Sequence, residues 1–120
     1  MSAKNKFNVS QNEIDGINIL SLSGFLDAHT APILEDKISN IIKNGNNKIL
    51  INFSDLDYIS SAGLGVFMAF IEELRQSGGD IKMAAMKPKV FTIFDLLGFP
   101  LLFDIEKTEQ EALLKFKSSK

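Results

Sequence analysis

The start of the chain alternates between apolar and polar residues. Phe7 and Val9 have polar neighbours, and Asp15-Gly16 is a dipeptide typical of a two-residue hairpin turn. An apolar run at residues 17–23 follows this turn. The pattern therefore predicts that the chain opens with two antiparallel strands.

Helical and strand patterns alternate along the remaining sequence. Thr30 and Gly45 bound an amphipathic helix, and the apolar run at 48–53 predicts a strand covered on both faces, which we place at the centre of the sheet. The later elements are a helix over 62–77, a strand at 81–85, a helix from Pro88 to Gly98, a strand at 102–105 and a helix begun by the capping box of Thr108 and Glu111. The core-facing positions of the four helices are, in order, Leu34, Ile38, Ile41 and Ile42; Leu64, Phe67, Met68, Ile71 and Leu74; Val90, Phe94 and Leu97; Ala112, Leu113 and Phe116.

This succession of elements is typical of an α/β protein. We expect a single domain over residues 1–120, ordered from about residue 6 to about residue 116, with a loose tail at 117–120. Its mixed β-sheet should have four to five strands, opened by the antiparallel hairpin, with about four α-helices packed on it.

Composition and charge exclude several function classes. The 120 residues include 13 basic and 15 acidic ones, mixed along the sequence, so no basic stripe is present to bind nucleic acid. The absence of cysteine and the single histidine argue against a disulfide framework or a metal centre, and we expect no cofactor. With no apolar signal core and no run near the ~20 residues of a membrane-spanning helix, we expect a cytoplasmic protein without membrane insertion.

Two adjacent serines, Ser60 and Ser61, stand where a strand pattern gives way to a helical one. A serine at a helix start is either an N-cap, which accepts a hydrogen bond from a backbone N–H group, or a phosphate acceptor at the positive end of the helix dipole. Gly63 and Gly65 then keep the first turn bare enough for another protein to approach. The sequence alone leaves both interpretations of the serines open.

Other polar residues are weaker candidates for chemistry. His29 is the only imidazole available as a base, and its place before a helix is more typical of a solvated loop. Asp27 is either a turn residue or a functional carboxylate, and the Asp55 and Asp57 pair is more typical of a loop than of a metal site. No internal nucleophile with a base beside it is evident, so we expect no enzymatic activity.

Two further patterns have a structural and a functional interpretation. Gly63-Leu64-Gly65 has the first two glycines of a dinucleotide fingerprint, but Met68 occupies the third position and the glycines start ten residues after Phe53, so we reject nucleotide binding. A second pattern concerns three residues that lie off the apolar stripes of their helices and are either core contacts between helices or partner-binding positions. They are Val66, Phe70 and Phe91.

Three sequence blocks stand out, in this order: Gly24-Phe25-Leu26-Asp27, Asn52-Phe53 and Ser60-Ser61-Ala62-Gly63-Leu64-Gly65-Val66. Together they resemble the STAS domain, and in particular the bacterial anti-sigma-factor antagonists of the sporulation and general-stress type, and the resemblance spans nearly the whole chain. It implies a small non-enzymatic switch. In its unphosphorylated form such a protein binds an anti-sigma factor that is also a serine kinase, and thereby releases the sigma factor.

The resemblance also implies roles for individual residues. Ser61 matches the serine that the kinase phosphorylates and a PP2C-type phosphatase restores, with Ser60 as a minor acceptor, and Asp27 matches an acidic residue that supports the reaction. The residues implied in partner binding are Ser60, Ala62, Gly63, Leu64, Gly65 and Val66. We expect a monomer in solution, with a dimer as the alternative.

Two positions depart from the family pattern. Many members have Asp where this chain has Ser60, which alters the charge beside the acceptor, and a hydroxyl residue where it has Ala62. A second hypothesis of another class is a STAS module that does not switch and only scaffolds a signalling or transporter complex. Incorporation of phosphate distinguishes the two.

Overall fold

The Asp15-Gly16 dipeptide makes the tight turn of an N-terminal hairpin, because both residues adopt positive φ angles of 53° and 81°. This hairpin opens a five-stranded sheet in the computed structural model, which describes residues 6–118. The strands are β1 (Phe7–Ile14), β2 (Ile17–Leu26), β3 (Lys48–Ile59), β4 (Asp80–Ala84) and β5 (Ile105–Glu106). The helices are α1 (Ala31–Lys43), α2 (Ser61–Gln76), α3 (Pro88–Leu96) and α4 (Glu109–Ser118).

The sheet has the strand order β1-β2-β3-β4-β5. β1 and β2 pair antiparallel, and every later neighbour pair is parallel, which confirms the predicted mixed sheet. β3 is the middle strand, as its two-sided apolar sequence predicts. The carboxyl ends of β2 and β3 consequently lie at the same end of the sheet.

Helices cover both faces of the sheet. α1, α2 and α3 pack on one face, where their apolar stripes meet alternate residues of the strands, such as Ile49 and Ile51 of β3. α4 packs on the other face, where Ala112 and Phe116 lie against a smaller cluster that includes Leu50. The period of two along each strand therefore divides the core into a large and a small layer.

Five phenylalanines form a chain of ring contacts through the large layer. Phe53 lies between Phe67 and Phe94, with ring centroids 5.8 and 5.4 Å away. Phe94 contacts Phe99 edge-on at 5.2 Å, and Phe99 stacks on Phe103 at 5.4 Å. These contacts fix the segment after α3, in which Phe99–Leu101 form a short 3-10 helix.

The segment after α3 corrects two predictions. The strand predicted at residues 102–105 is only β5, Ile105–Glu106, because the 3-10 helix directs the chain away from the sheet before it pairs with β4. Leu97 was predicted to face the core, but it lies past the end of α3 and is 59% exposed.

Three further features differ from the sequence pattern. Met68 of α2 is exposed although its spacing predicts a core position, and Val66, which lies off the predicted stripe, is buried instead. β4 ends at Ala84, because Ala85 adopts a φ of 66° that leaves the strand conformation. α4 continues through Lys117, so the predicted loose tail begins later, and residues 119–120 lie outside the described part of the chain.

The helix starts show one confirmed cap and one that differs. Thr108 and Glu111 form the predicted capping box, in which the Glu111 N–H donates to Thr108 Oγ1 at 3.1 Å and the Thr108 N–H to Glu111 Oε1 at 3.3 Å. Thr30 stands at the N-cap position of α1, but its hydroxyl donates to the carbonyl of Phe25 at 2.9 Å instead of capping the helix. Thr30 therefore ties α1 back to β2.

Candidate functional site

The serine motif lies at the carboxyl ends of the two central parallel strands. β3 runs on to Ile59, six residues beyond the predicted end at Phe53, and Ile59 pairs with Leu26 at the end of β2. The next residue, Ser60, donates its N–H to the Leu26 carbonyl at 2.9 Å. The motif therefore follows β3 directly. The predicted ten-residue gap between the strand and the glycines, one of the two reasons for rejecting a dinucleotide fingerprint, is wrong, but Met68 still occupies the place of the third glycine.

The two serines have different environments. Ser60 is the N-cap residue of α2 with extended backbone angles, yet its side chain makes no capping hydrogen bond. The Ser60 Oγ is buried and has no hydrogen-bond partner among the described residues. Ser61 is the first helical residue and is exposed. The interpretation of Ser61 as a plain N-cap is therefore wrong, because its neighbour occupies that position.

Ser61 belongs to the first turn of α2, where backbone N–H groups lack helical partners. The first hydrogen bond within α2 runs from the Leu64 N–H to the Ser60 carbonyl at 3.1 Å. The N–H groups of Ser61, Ala62 and Gly63 precede this bond and have no carbonyl one turn earlier to bind. Together with the positive end of the helix dipole, they favour a negative charge at this position.

Three of the predicted partner contacts are core residues instead. Gly63, Leu64 and Val66 are buried, so as surface contacts the prediction is wrong for them. A Cβ atom on Gly63 would lie 2.7 Å from Leu26 Cγ and 3.0 Å from Ile59 Cγ1. The glycine allows α2 to pack directly on the ends of β2 and β3, and this close approach fixes where Ser61 stands.

The surface offered by α2 consists of other residues. Ser61, Ala62 and Gly65 are exposed on the first turns, and apart from its chain neighbours and the backbone of its own helix, no described atom lies within 4 Å of a Cβ built on Gly65. Met68, one turn further along this side, is 46% exposed. A flexible methionine beside an exposed glycine suits a protein contact. The sequence pattern did not identify Met68 as a surface residue, because its spacing matches that of the core-facing residues.

Asp27 lies at the same end of the sheet as Ser61, as predicted from the strand order. Asp27 follows Leu26 at the end of β2, and Ser60 follows Ile59 at the end of β3. Leu26 and Ile59 are register partners in the sheet. The Asp27 Oδ1 accepts hydrogen bonds from the N–H groups of His29 at 3.0 Å and Thr30 at 3.1 Å. Asp27 is thus a turn residue that starts α1, and its Oδ2 has no partner within residues 6–118.

The remaining candidates are resolved by their surroundings. His29 is exposed in the turn before α1, consistent with a solvated loop residue. Asp55 and Asp57 belong to β3 and not to a loop, and the Lys87 ammonium binds Asp57 and holds the pKa of that carboxyl below its usual range. Among residues 6–118, no three His, Asp or Glu side chains are arranged to hold a metal ion.

An aromatic pair beside the site was not predicted. The register pairs Phe25 with Tyr58, their ring centroids lie 5.4 Å apart, and Tyr58 is exposed. Two register irregularities in the β2–β3 pairing occur just before this pair. They interrupt the alternation of apolar and polar residues expected near the end of β3, so the sequence pattern did not reveal the pair. Phe70 packs partly on the core, whereas Phe91 is exposed.

A comparison with known families assigns this arrangement. The STAS domain family matches residues 8–112. The chain belongs to the STAS domain family. It is 31% identical over 111 residues to BtrV of Bordetella bronchiseptica, covering 92% of this chain and 96% of that protein. It is also 31% identical over 97 residues to the anti-sigma-B factor antagonist of Bacillus subtilis, covering 81% and 86% of the two chains.

A solved structure gives the same fold. The crystal structure of an anti-sigma factor antagonist from Mycobacterium paratuberculosis aligns with a TM-score of 0.88 at 26% identity, covering 98% of this chain and all of that one. The STAS fold is therefore shown by sequence and by structure together. None of the helices within residues 6–118 is long and apolar enough to cross a membrane.

Proposed function

We propose that this STAS-family chain is an anti-sigma factor antagonist whose binding is switched by phosphorylation of Ser61. The unphosphorylated form binds an anti-sigma factor that is also a serine kinase, and so releases the sigma factor. A PP2C-type phosphatase reverses the modification, and all three proteins act in the cytoplasm. The chain itself is a binding protein and not an enzyme.

The observation that carries this proposal is the exposure of Ser61 at the first position of α2. A kinase can reach its hydroxyl, and the backbone donors of the first turn stabilise the resulting phosphate. The buried Oγ of Ser60 favours Ser61 over Ser60 as the acceptor. The antagonist relative from Bacillus subtilis supports the partner class.

Asp27 has a supporting role in this proposal. Two backbone hydrogen bonds to its Oδ1, from the N–H groups of His29 and Thr30, hold the carboxylate at the end of the sheet that carries Ser61. The Oδ2 atom of Asp27 can then orient the Ser61 hydroxyl or a basic group of the kinase. Asp27→Asn should slow phosphorylation, whereas Asp36→Asn, a change at an exposed aspartate on α1, should not.

Phosphorylation should disrupt the interface and not the fold. A phosphoserine adds about −1.5 to −2 charges, which the start of a helix stabilises by ~0.3 to 1 kcal/mol at an exposed site. Inside an interface the same charge is desolvated, at a cost on the order of 2 to 5 kcal/mol. The contact surface of Ser61, Ala62, Gly65 and Met68 is therefore the part of the molecule that should respond.

The test uses the serine-kinase anti-sigma factor encoded in the same genome, with ATP and mass spectrometry. We expect one phosphate on wild type and none on Ser61→Ala, with full incorporation into Ser54→Ala, a change at an exposed serine outside a helix start. Phosphorylated protein should bind the kinase at least about tenfold more weakly, with its melting temperature changed by a few degrees at most.

The opposite outcomes are equally specific. Full phosphate incorporation into Ser61→Ala would contradict the assignment of the acceptor. Equal affinity of the two forms would contradict the switch, and binding without any phosphate incorporation would favour the scaffold hypothesis.

A further inference from the structure

The second half of β3 has fewer strand neighbours than the first half. β4 pairs with β3 only as far as Asn52, because β4 ends at Ala84, its register partner. Within the described chain, residues 53–59 therefore have only β2 beside them in the sheet. This half of the strand leads directly to Ser61, the first residue of α2. The contacts that hold it in place consequently determine where the serine lies.

The pairing of this half with β2 is itself irregular. Gly24 lies opposite Leu56 and Phe25 lies opposite Tyr58, so β3 carries one residue between them, Asp57, that has no register partner. An extra residue of this kind bends the strand and locally disrupts its ladder of hydrogen bonds. The end of β3 therefore depends more than its first half on contacts from outside the sheet.

A lysine beyond β4 supplies such a contact. Lys87 is the N-cap residue of α3, and its ammonium binds the carboxylate of the bulged Asp57. The pair connects the bulge to α3, which packs on the large core layer through Val90 and Phe94. The Lys87 and Asp57 side chains are 36% and 43% exposed, so the removal of one partner leaves no buried charge.

We propose that Lys87 is a positioning residue for the phosphorylation of Ser61 and acts through its ion pair with Asp57. This inference rests on the proposed function, because it concerns the acceptor named there. In the reaction, the Ser61 Oγ forms a bond to the γ-phosphorus of ATP, the bond from that phosphorus to the bridging oxygen breaks, and ADP leaves. The hydroxyl proton passes to a general base of the kinase.

The geometry of this reaction explains the role of the ion pair. The Ser61 hydroxyl must lie close to the γ-phosphate and in line with the bond that breaks, so a serine that adopts fewer positions reacts faster. The backbone hydrogen bond from Ser60 to Leu26 holds the end of β3 on the side of β2. The ion pair of Lys87 and Asp57 holds the preceding bulge from the side of α3.

The effect on global stability should be small. Exposed ion pairs contribute little to the free energy of unfolding, whereas the end of a strand opens locally at a much lower free energy than the whole fold. Loss of the pair should therefore change the melting temperature by a few degrees at most. Local opening at the end of β3 should increase about two- to fivefold, the range expected for an exposed ion pair.

The kinetics of phosphorylation by the serine-kinase anti-sigma factor test this role. Lys87→Gln should lower kcat about two- to fivefold, while the dissociation constant for the kinase changes by about twofold or less. The matched control is Lys117→Gln, because Lys117 forms an exposed ion pair with Asp15 at 3.1 Å, at the other end of the sheet. The control should change neither quantity.

A charge swap tests whether the pair, and not the lysine alone, is responsible. Lys87→Asp and Asp57→Lys should each slow phosphorylation at least as much as Lys87→Gln, because each change brings two like charges together. The double variant should recover most of the wild-type rate.

Hydrogen exchange of the amides at residues 55–60 measures the same effect without the kinase. Exchange there should be about two- to fivefold faster in Lys87→Gln and unchanged in Lys117→Gln.

Three outcomes would overturn the proposal. Wild-type kinetics together with wild-type exchange in Lys87→Gln would show that the ion pair positions nothing. A raised dissociation constant with an unchanged kcat would show that Lys87 contacts the kinase and does not position the serine. A wild-type chain that takes up no phosphate would overturn the proposed function and this inference with it, whereas normal phosphorylation of both wild type and Lys87→Gln would overturn this inference alone.

Discussion

The two ends of the sheet differ in whether their polar groups have partners within the described chain. At the amino ends of the parallel strands, buried Lys82 binds Asp104 at 2.6 Å and Asp80 at 3.0 Å, and Arg75 also binds Asp80 at 2.9 Å. At the carboxyl ends, the buried Ser60 hydroxyl has no partner within residues 6–118, and Ser61 is exposed.

This contrast separates stability from binding. A buried charge is tolerated only where carboxylates and hydrogen bonds offset its desolvation, and the Lys82 cluster meets that requirement within the chain. At the serine end, the backbone donors of the first helical turn and the Ser60 hydroxyl have no partners among residues 6–118, so they can bind a ligand or another protein. Substitutions at the two ends should consequently affect different measurements.

The largest stability loss should come from Lys82→Met. It leaves Asp80 and Asp104 without their shared ammonium, and because both carboxylates are partly exposed we expect a loss of about 2 to 3 kcal/mol, below that of a fully buried pair. Chemical denaturation measures this loss. Phosphorylation of Ser61 by the kinase should be unchanged in the folded variant, and an effect on both measurements would remove the proposed separation of the two ends.

The same cluster should give stability a defined pH dependence. Burial alone lowers the pKa of Lys82, but the hydrogen bonds that its ammonium donates to Asp104 and Asp80 outweigh burial and raise that pKa, and the same ammonium lowers the pKa of Asp104. The stabilisation from Asp104 is therefore present above its unfolded pKa of about 3.9 and lost as the pH falls through its lower folded pKa. The stabilisation from Lys82 is present below about 10.4 and lost as the pH rises through its raised folded pKa.

Asp104→Asn isolates the acidic side of this dependence. We expect the variant to melt below wild type at neutral pH, and the difference to shrink as the pH falls through the lowered folded pKa of Asp104, below which wild-type Asp104 is also neutral. Asp95→Asn, at an exposed aspartate without an ion pair in the described structure, should show almost no difference at neutral or at low pH. A difference that persists at low pH would mean that packing, and not charge, explains the effect.

Much of this contrast could be predicted from the sequence, but not all. The motif at Ser60 and Ser61, the central strand and the proximity of Asp27 follow from apolar patterns and strand order, which are local signals. The Lys82 cluster joins β4 to a residue 22 positions later, and no local pattern encodes such a pairing. Leu97 and Met68 have core-like spacing, and only the packed structure places them on the surface.

Two glycines in α2 provide the next test. Gly63→Ala places a methyl group against Leu26 and Ile59 and should cost about 1 to 2 kcal/mol after the gain in helix propensity. Gly65→Ala meets open space and should stabilise the fold by about 0.5 to 1 kcal/mol. For binding the order reverses: a folded Gly65→Ala should bind the anti-sigma factor more weakly, because its methyl group stands in the proposed contact surface. Denaturation curves and binding isotherms of the two variants would test this reversal.

The smallest expected effect is at Ser60. An N-cap serine normally stabilises a helix by about 0.5 to 2 kcal/mol, but the Ser60 Oγ is buried without a partner in the described structure, and an unsatisfied buried group costs about 1 to 3 kcal/mol. Ser60→Ala should therefore leave stability unchanged or raise it by up to about 1 kcal/mol. Thr108→Ala is the matched control, because the Thr108 hydroxyl accepts a hydrogen bond from the Glu111 N–H at 3.1 Å and its removal should cost about 1 kcal/mol. Equal losses in the two variants would show that Ser60 caps α2 in solution, and the serine end would then be as satisfied internally as the Lys82 end.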